Sequence, residues 1–444
     1  MQSSTSSLLQ GPVRPALLRY ALPIILSMLA TQLYTVVDTM IIGLRLDANA
    51  LAAVSNASTT LMIFLFISGG LELGGGLLAA AKKPTATKQE MAALVYNLLF
   101  VDLAVALLIT LFGWGCIRQL LLRINTPAAI VEDAVLYSRI FLLGLPALMV
   151  YDLSKEIAMG CGDSRTPLYA VVATSALNIL LDLVLVGPFG VAGAAAATSV
   201  SQIMGAAYLL CYLRRNLLAE KFRLDMLRPA VAADIFRLSI PSAIQQGGGT
   251  VMTVFKQSLL GGLGVAVIAG FSCANKISSL LMMPVYGFVQ SVVFFIAQNT
   301  AARQPDRVQE GLREGRRILL VYSFVVVAVC VGLNGPLLRL FTTDPDAASF
   351  GSIMLAFESA AYLFTAQKHL LEARLRGAQK MGLYLISNLG QIALNILCCG
   401  VLVPRVGFNG FWMASYISAP AGLVLAYVMV RCSGRGKEES PAGA

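Results

Sequence analysis

The chain has little charge, almost no histidine and no paired-cysteine motif, and each shortage excludes a class of protein. Of its 444 residues, 13% are charged, whereas soluble proteins usually carry about 25%. It has one histidine, and none of its eight cysteines forms a CxxC motif, so neither a metal site nor a disulfide framework is predicted. A single histidine with no motif around it gives no catalytic constellation. We therefore predict a protein that is not an enzyme and has no cofactor.

The chain has instead many long apolar runs. Hydrophobic residues make up 57% of it, and they fall into segments of roughly 20 residues, the length that crosses a bilayer. We predict an all-α polytopic membrane protein. The twelve predicted spans are 17–43, 51–80, 91–114, 134–155, 166–187, 190–212, 234–259, 264–297, 317–340, 350–371, 381–403 and 408–430.

The basic residues predict how these spans are oriented. In the twelve-span arrangement, 24 Lys and Arg residues fall on one side of the membrane and 5 on the other. Because basic residues collect in cytoplasmic loops, both termini are predicted to be cytoplasmic, in the plasma (inner) membrane. The net charge of +10 is thereby explained by topology and lipid contact, and no nucleic-acid partner is predicted.

The second half of the chain resembles the first. The matching segments, at offsets of 215, 217, 217 and 218, are Gly162–Tyr169 with Gly377–Tyr384, Leu177–Leu180 with Leu394–Leu397, Gly190–Gly193 with Gly407–Gly410, and Leu22–Pro23 with Ile240–Pro241. Since six is even, both halves have the same orientation. They form two parallel six-helix repeats with pseudo-twofold symmetry along the membrane normal. The predicted domains are an N-terminal lobe 14–215, a cytoplasmic linker 216–233 and a C-terminal lobe 234–431.

Two parallel repeats of this kind favour a transporter that works by alternating access, with substrate bound between the halves. A rigid scaffold within a larger complex is an alternative. A channel is another, although no pore-loop filter is visible in the sequence.

Several motifs together resemble those of the multidrug and toxic compound extrusion (MATE) family, over residues 15 to 430. The residues that carry the resemblance are Pro23, Val37–Thr39 with Gly43, Gly162–Pro167, Asn178, Asp182, Gly193–Thr198, Ala274–Ile277, Pro284, Gln298–Asn299 and Leu375–Gly377. The resemblance implies a cation-coupled antiporter, in which H⁺ or Na⁺ enters and a drug-like, often cationic organic molecule leaves. It implies small organic substrates as partners, and we expect a monomer.

The acids within the first and fifth spans are the leading candidates for coupling. Asp38 and Asp182 each precede by five residues a glycine at the outer end of the span, so they lie at similar depth. Asn178 shares a helix face with Asp182, and Thr198 lies at comparable depth in the sixth span. The resemblance carries the family's N-lobe cation site onto these four residues. Two carboxylates close together in low dielectric need a cation or a proton; the alternative is that a local hydroxyl, such as Thr35, satisfies Asp38.

The second lobe departs from this pattern. The offset of 218 places Lys256 at the position of Asp38, and the offset of 217 places Cys399 at that of Asp182. A C-lobe cation site is therefore doubtful, and coupling through the N-lobe alone is as in the DinF-like branch of the family. We hypothesise a Lys256–Glu358 ion pair, a fixed cation in place of a transported one. Alternatively, Lys256 extends outward to the membrane interface.

Further residues are candidates for contact with substrate or for lining a cavity. Tyr34 precedes Asp38 by four residues and points the same way, towards the carboxylate or the substrate. Glu72 and Asp102 are intramembrane acids that either attract a cationic substrate or pair with a neighbour. Met252 and Met283 are candidate wall residues, since methionine adapts to varied ligands. The runner-up function is a lipid or lipid-linked oligosaccharide flippase of related architecture.

Overall fold

The computed structural model describes residues 8–218 and 220–435, and within them the regular elements are helices. Residues 1–7 and 436–444, on which the predicted cytoplasmic termini partly depend, lie outside the described residues. The helices are α1 (Val13–Arg45), α2 (Ala48–Lys82), α3 (Lys88–Arg123), α4 (Val131–Gly160), α5 (Arg165–Asn216), α6 (Pro229–Leu260), α7 (Val265–Ala301), α8 (Pro305–Gly332), α9 (Asn334–Arg339), α10 (Pro345–Gly377), α11 (Met381–Val406) and α12 (Asn409–Arg435).

The twelve predicted spans lie on these helices, which confirms the predicted fold class. The long helix α5 carries the fifth and sixth spans and breaks at Gly190. The predicted ninth span, 317–340, divides between the end of α8 and the short α9. Ten of the described helices are long and apolar enough to cross a membrane. Helix α6, which carries Gln245, Gln246 and Lys256, is not among the ten.

Polar caps mark where two of the helices begin. The Asp47 carboxylate accepts a hydrogen bond from the Ala50 backbone N–H at 2.8 Å, at the start of α2. At the start of α3, Thr87 Oγ1 accepts from the Glu90 N–H at 3.2 Å, and the Glu90 carboxylate accepts from the Thr87 N–H at 2.8 Å. These side chains satisfy N–H groups that the first turn of a helix leaves unpaired.

The described chain forms two compact units. The first unit contains residues 22–243, and the second contains residues 8–21 and 244–435. Helices α1 and α6 therefore each contribute to both units. Helix α1 divides between residues 21 and 22, close to Pro23, and α6 divides between residues 243 and 244, close to Pro241. The predicted lobe boundaries stay a prediction.

The repeat is visible in the turns between helices. The backbone N–H groups of Asp163 and Lys380 each donate to the carbonyl oxygen five residues earlier, at 3.0 and 2.8 Å. The positive φ in these two turns falls on Gly162 (95°) and Gln379 (58°). The offset is therefore 217 here, and the predicted offset of 215 is wrong. The sequence similarity had paired Gly162 with Gly377, but Gly377 ends α10 and does not stand in the turn.

The same offset of 217 holds at the next break in each repeat. The backbone takes a positive φ of 59° at Gly190 and 63° at Gly407, a conformation that glycine adopts without steric cost. Three residues later, a Cβ at Gly193 or Gly410 would lie 2.2 or 2.6 Å from backbone atoms of the preceding helical segment. Glycine at these positions lets each pair of segments pack closely.

Candidate cation site

The break in α5 brings three predicted site residues together. Asn178 and Asp182 lie one turn apart on the first half of α5, and Asn178 Nδ2 lies 3.4 Å from Thr198 Oγ1 on the second half. With its amide in the opposite orientation, Asn178 donates to Asp182 Oδ2 at 3.2 Å and accepts from the Thr198 backbone N–H at 3.3 Å. Asn178 is 2% exposed and Asp182 is fully buried. This polar cluster is therefore shielded within the first unit.

Asp38 joins the cluster from α1. The carboxyl groups of Asp38 and Asp182 lie within hydrogen-bonding reach of each other. Two carboxyl groups can hydrogen-bond only when one of them carries a proton, because ionised carboxylates have no donor. The Oδ1 atom of each is buried and has no hydrogen-bond partner within residues 8–218 and 220–435. The geometry can hold a proton between the acids, or a monovalent cation among the oxygen atoms.

The local-hydroxyl alternative for Asp38 does not fit this geometry. The Thr35 hydroxyl donates to the Thr31 carbonyl oxygen at 2.9 Å. Its proton is therefore engaged within α1 and is not directed at the carboxylate.

Two tyrosines flank the acids. Tyr34 lies within electrostatic range of Asp38 and also of Asp152 on α4. Tyr137 on α4 is 6% exposed, lies close to a serine of α2, and lies within electrostatic range of Asp38 and Asp182. The spacing along α1 predicts that Tyr34 points towards Asp38, and its contact with the carboxylate or with substrate stays a prediction. Tyr137 was missed, because an aromatic residue in an apolar span carries no signal of a polar neighbour on another helix.

The remaining intramembrane acids of the first unit form a second group. Glu72 accepts a hydrogen bond from Ser68 Oγ at 2.6 Å and interacts electrostatically with Asp152 and Lys155. Asp102 is 1% exposed and lies within electrostatic range of Asp152. Lys155 Nζ binds Asp152 Oδ1 at 2.5 Å. Lys155, which the topology prediction counts on the cytoplasmic side, lies five residues before the end of α4.

The second unit has a counterpart of the cation cluster with different chemistry. At the offset of 217, the counterparts of Asn178, Asp182 and Thr198 are Asn395, Cys399 and Ser415. Cys399 Sγ lies 3.7 Å from Asn395 Oδ1, and Ser415 Oγ donates to Glu358 Oε1 at 3.2 Å. Lys256 interacts electrostatically with Cys399 and Glu358. The ion pairs with N···O distances of 4.0 Å or less in the described chain do not include Lys256–Glu358, and this pair stays a prediction.

The two candidate wall methionines, Met252 and Met283, both belong to the second unit and are half-buried. Neither lies in the unit that holds the acid cluster. Their contact with substrate stays a prediction.

Together these features define a class of protein. Twelve spans in two six-span repeats, with acids paired inside the spans, are typical of secondary transporters. The chain belongs to the MatE family, whose sequence model matches residues 23–184 and 241–401, one stretch in each repeat. Proteins of this family are transporters, and the chain is accordingly embedded in a membrane.

Individual relatives are similar over most of their length. The chain is 29% identical to the "Probable multidrug resistance protein YpnP" of Bacillus subtilis (strain 168), over 86% of each chain. It is 26% identical to the "FAD transporter" of Shewanella oneidensis, over 94% of this chain and 92% of the relative. A solved structure, "Outward-facing conformation of a multidrug resistance MATE family transporter of the MOP superfamily", has a TM-score of 0.91 and 20% identity, covering 99% and 100% of the two chains.

Proposed function

We propose that the chain is an antiporter that exports drug-like organic molecules in exchange for H⁺ or Na⁺. The coupling cation would bind at Asp38, Asn178, Asp182 and Thr198. The observation that carries this proposal is the placement of the Asp38 and Asp182 carboxyl groups within hydrogen-bonding reach inside the first unit. Both termini would be cytoplasmic, in the plasma membrane, as the basic residues predict.

The proposed coupling follows from the charge of the acid pair. With a proton or Na⁺ bound, the pair carries one negative charge; without it, two carboxylates would repel each other in a medium of low dielectric. Repulsion of this kind favours a movement of α1 that separates Asp38 from Asp182. Cation binding would therefore stabilise one arrangement of α1 and cation release another, which is the requirement for alternating access.

The second unit would not bind a coupling cation, because Lys256 stands where the first unit has Asp38. We propose that the Lys256 ammonium provides a fixed positive charge beside Glu358, with Met252 and Met283 as wall residues of the substrate path. Coupling through one unit is the arrangement expected for the DinF-like branch. The relatives' names as multidrug resistance proteins favour drug export over the flippase alternative.

The test is transport by the purified full-length chain in proteoliposomes, with a panel of cationic and anionic dyes and with imposed pH or Na⁺ gradients. Asp38→Asn and Asp182→Asn should each abolish gradient-driven export while the protein stays folded. Glu132→Gln, a side chain 67% exposed, is the matched control and should export as the parent does. Full export by Asp38→Asn would refute the assignment. A fluorescent-lipid scrambling assay, expected to be negative, checks the flippase alternative.

A further inference from the structure

The second group of acids in the first unit is not used by the proposed cation site. Glu72 lies ten residues before the end of α2, and Asp152 lies eight residues before the end of α4. At 1.5 Å per residue these positions are about 12–15 Å from helix ends. Those ends lie on the side that the charge pattern predicts to be cytoplasmic. Asp38, in contrast, lies seven residues before Arg45, the end of α1 that is predicted to lie on the outer side.

The members of this group lie on three helices, α2, α3 and α4. Lys155 interacts electrostatically with Glu72 and Glu156 as well as binding Asp152 directly. Its ammonium also lies over the Tyr151 ring, 5.5 Å from the ring centroid. Lys155 therefore brings one positive charge to a group of several carboxyls.

Asp102 is the member whose surroundings point to a bound ligand. Its side chain is 1% exposed, and neither carboxyl oxygen has a hydrogen-bond partner in the part of the chain that the structure describes. Asp152, whose charge is already engaged by Lys155, lies within electrostatic range of it. An isolated carboxylate in such a place is strongly disfavoured, and a buried carboxyl in this situation takes up a proton.

We propose that Glu72, Asp102 and Asp152, with Lys155 as fixed counter-charge, form a second proton-binding site, and that Asp102 holds a proton there at neutral pH. The titratable and charged groups that face this site are Tyr34 from α1, Glu72 from α2, Asp102 from α3, and Tyr151, Asp152, Lys155 and Glu156 from α4. Its neighbours on α5 and α6 are the hydroxyls of Thr174, bonded to Tyr151, and of Ser239, beside Gly74.

The position of Tyr34 links this site to the first. Tyr34 lies within electrostatic range of both Asp38 and Asp152, so the two acid groups share a neighbour. A proton released from the Asp38 carboxyl would break its O–H bond there and form a new one on a carboxylate of the second site. It would then leave to water on the cytoplasmic side. This role in proton release rests on the proposed function, whereas proton binding at Asp102 does not.

Infrared difference spectroscopy on the purified full-length protein in lipid vesicles tests proton binding. The readout is the carbonyl stretch of protonated carboxylic acids at neutral pH, recorded in Na⁺-free and Na⁺-containing buffer. Asp102→Asn should lose one such band that the parent shows, and the exposed control Glu132→Gln should lose none. An unchanged spectrum for Asp102→Asn overturns the proposal. If the parent loses the Asp102-dependent band when Na⁺ is added, the proposal is also overturned, in favour of a Na⁺ site.

Two further variants keep the test decisive. If Asp102→Asn does not fold, Lys155→Met should add a carboxylic-acid band, because the carboxyls around Lys155 lose their fixed counter-charge and one of them would bind a proton instead; no added band would contradict the proposed site. Asp38→Asn should leave the Asp102 band in place.

In proteoliposomes, Asp102→Asn should lose pH-driven export but keep substrate exchange without a gradient. If Asp38→Asn exports normally while the Asp102 band is present, the proposed function fails and the second proton site stands.

Discussion

A buried ion pair near the end of α10 offers a sharp test of how the second unit is packed. Lys368 Nζ lies 3.0 Å from Glu372 Oε1, and the side chains are 2% and 3% exposed. Glu372 also accepts a hydrogen bond from Ser387 Oγ at 2.9 Å and lies 3.2 Å from His369 Nδ1. Within the described chain, the Glu372 carboxylate thus has three partners, whereas the Lys368 ammonium forms an ion pair with Glu372.

This imbalance predicts unequal costs for the two single substitutions. Glu372→Gln leaves the Lys368 ammonium buried without a counter-charge, which costs about 3–5 kcal/mol of unfolding free energy. Lys368→Met leaves the carboxylate beside its two other hydrogen-bonding neighbours, Ser387 Oγ and His369 Nδ1. We expect it to cost only about 1–3 kcal/mol. The double variant removes both charges and should cost less than the sum, with a coupling energy of about 2 kcal/mol.

The measurement is a denaturant titration of the purified protein in mixed micelles, followed by tryptophan fluorescence, for the parent, both single variants and the double variant. Glu132→Gln breaks an exposed pair with Arg118 and should cost under about 1 kcal/mol. Lys368→Met costing as much as Glu372→Gln, or a double variant with additive costs, would refute the reasoning.

Three further predictions use the same unfolding measurement. Gly205→Ala places a Cβ 2.5 Å from a threonine methyl and 2.7 Å from a tyrosine ring and should cost about 1–3 kcal/mol; Gly115→Ala, with nothing within 4 Å, should be neutral or stabilising. Gly162→Ala should cost about 1–2 kcal/mol because of the positive φ at this position. Gln379→Gly, at the equivalent position, should change stability by less than about 0.5 kcal/mol, since relief of backbone strain offsets the greater chain entropy of the unfolded state. Asp163→Ala should cost about 2–3 kcal/mol, because this carboxylate accepts hydrogen bonds from two backbone N–H groups, a threonine hydroxyl and a tyrosine hydroxyl. Equal costs for the two glycine-matched pairs would contradict the first two expectations, and an unchanged stability of Asp163→Ala would contradict the third.

Much of the fold could be predicted from the sequence. A span is a local property, set by some twenty consecutive apolar residues and by the loops that bound them, so its existence needs no knowledge of its neighbours. Its ends are less local. The predicted fourth span ends at Lys155, whereas α4 continues to Gly160, and within the helix Lys155 binds Asp152 three residues earlier.

The repeat shows a similar limit. Similarity of residue types gave the offset of 217 between the two repeats correctly at two places. It paired Gly162 with Gly377, however, because a sequence match aligns identical residues. The structure pairs Gly162 with Gln379, since what repeats there is a positive φ and a hydrogen-bonded turn. Backbone geometry is kept even where the residue type that suits it is not.

The sequence by itself determined the membrane-spanning class, the doubled architecture and the list of acids that hydrocarbon would not tolerate alone, because burial of charge in a membrane is costly whatever surrounds it. Only the tertiary structure decided which acids meet. It places Asp182 of α5 against Asp38 of α1 and leaves Asp102 within electrostatic range of Asp152 in a separate group. Contacts between helices far apart in the chain depend on how each helix is rotated and packed, and that rotation is set by the helices around it and not by the residues of any one span.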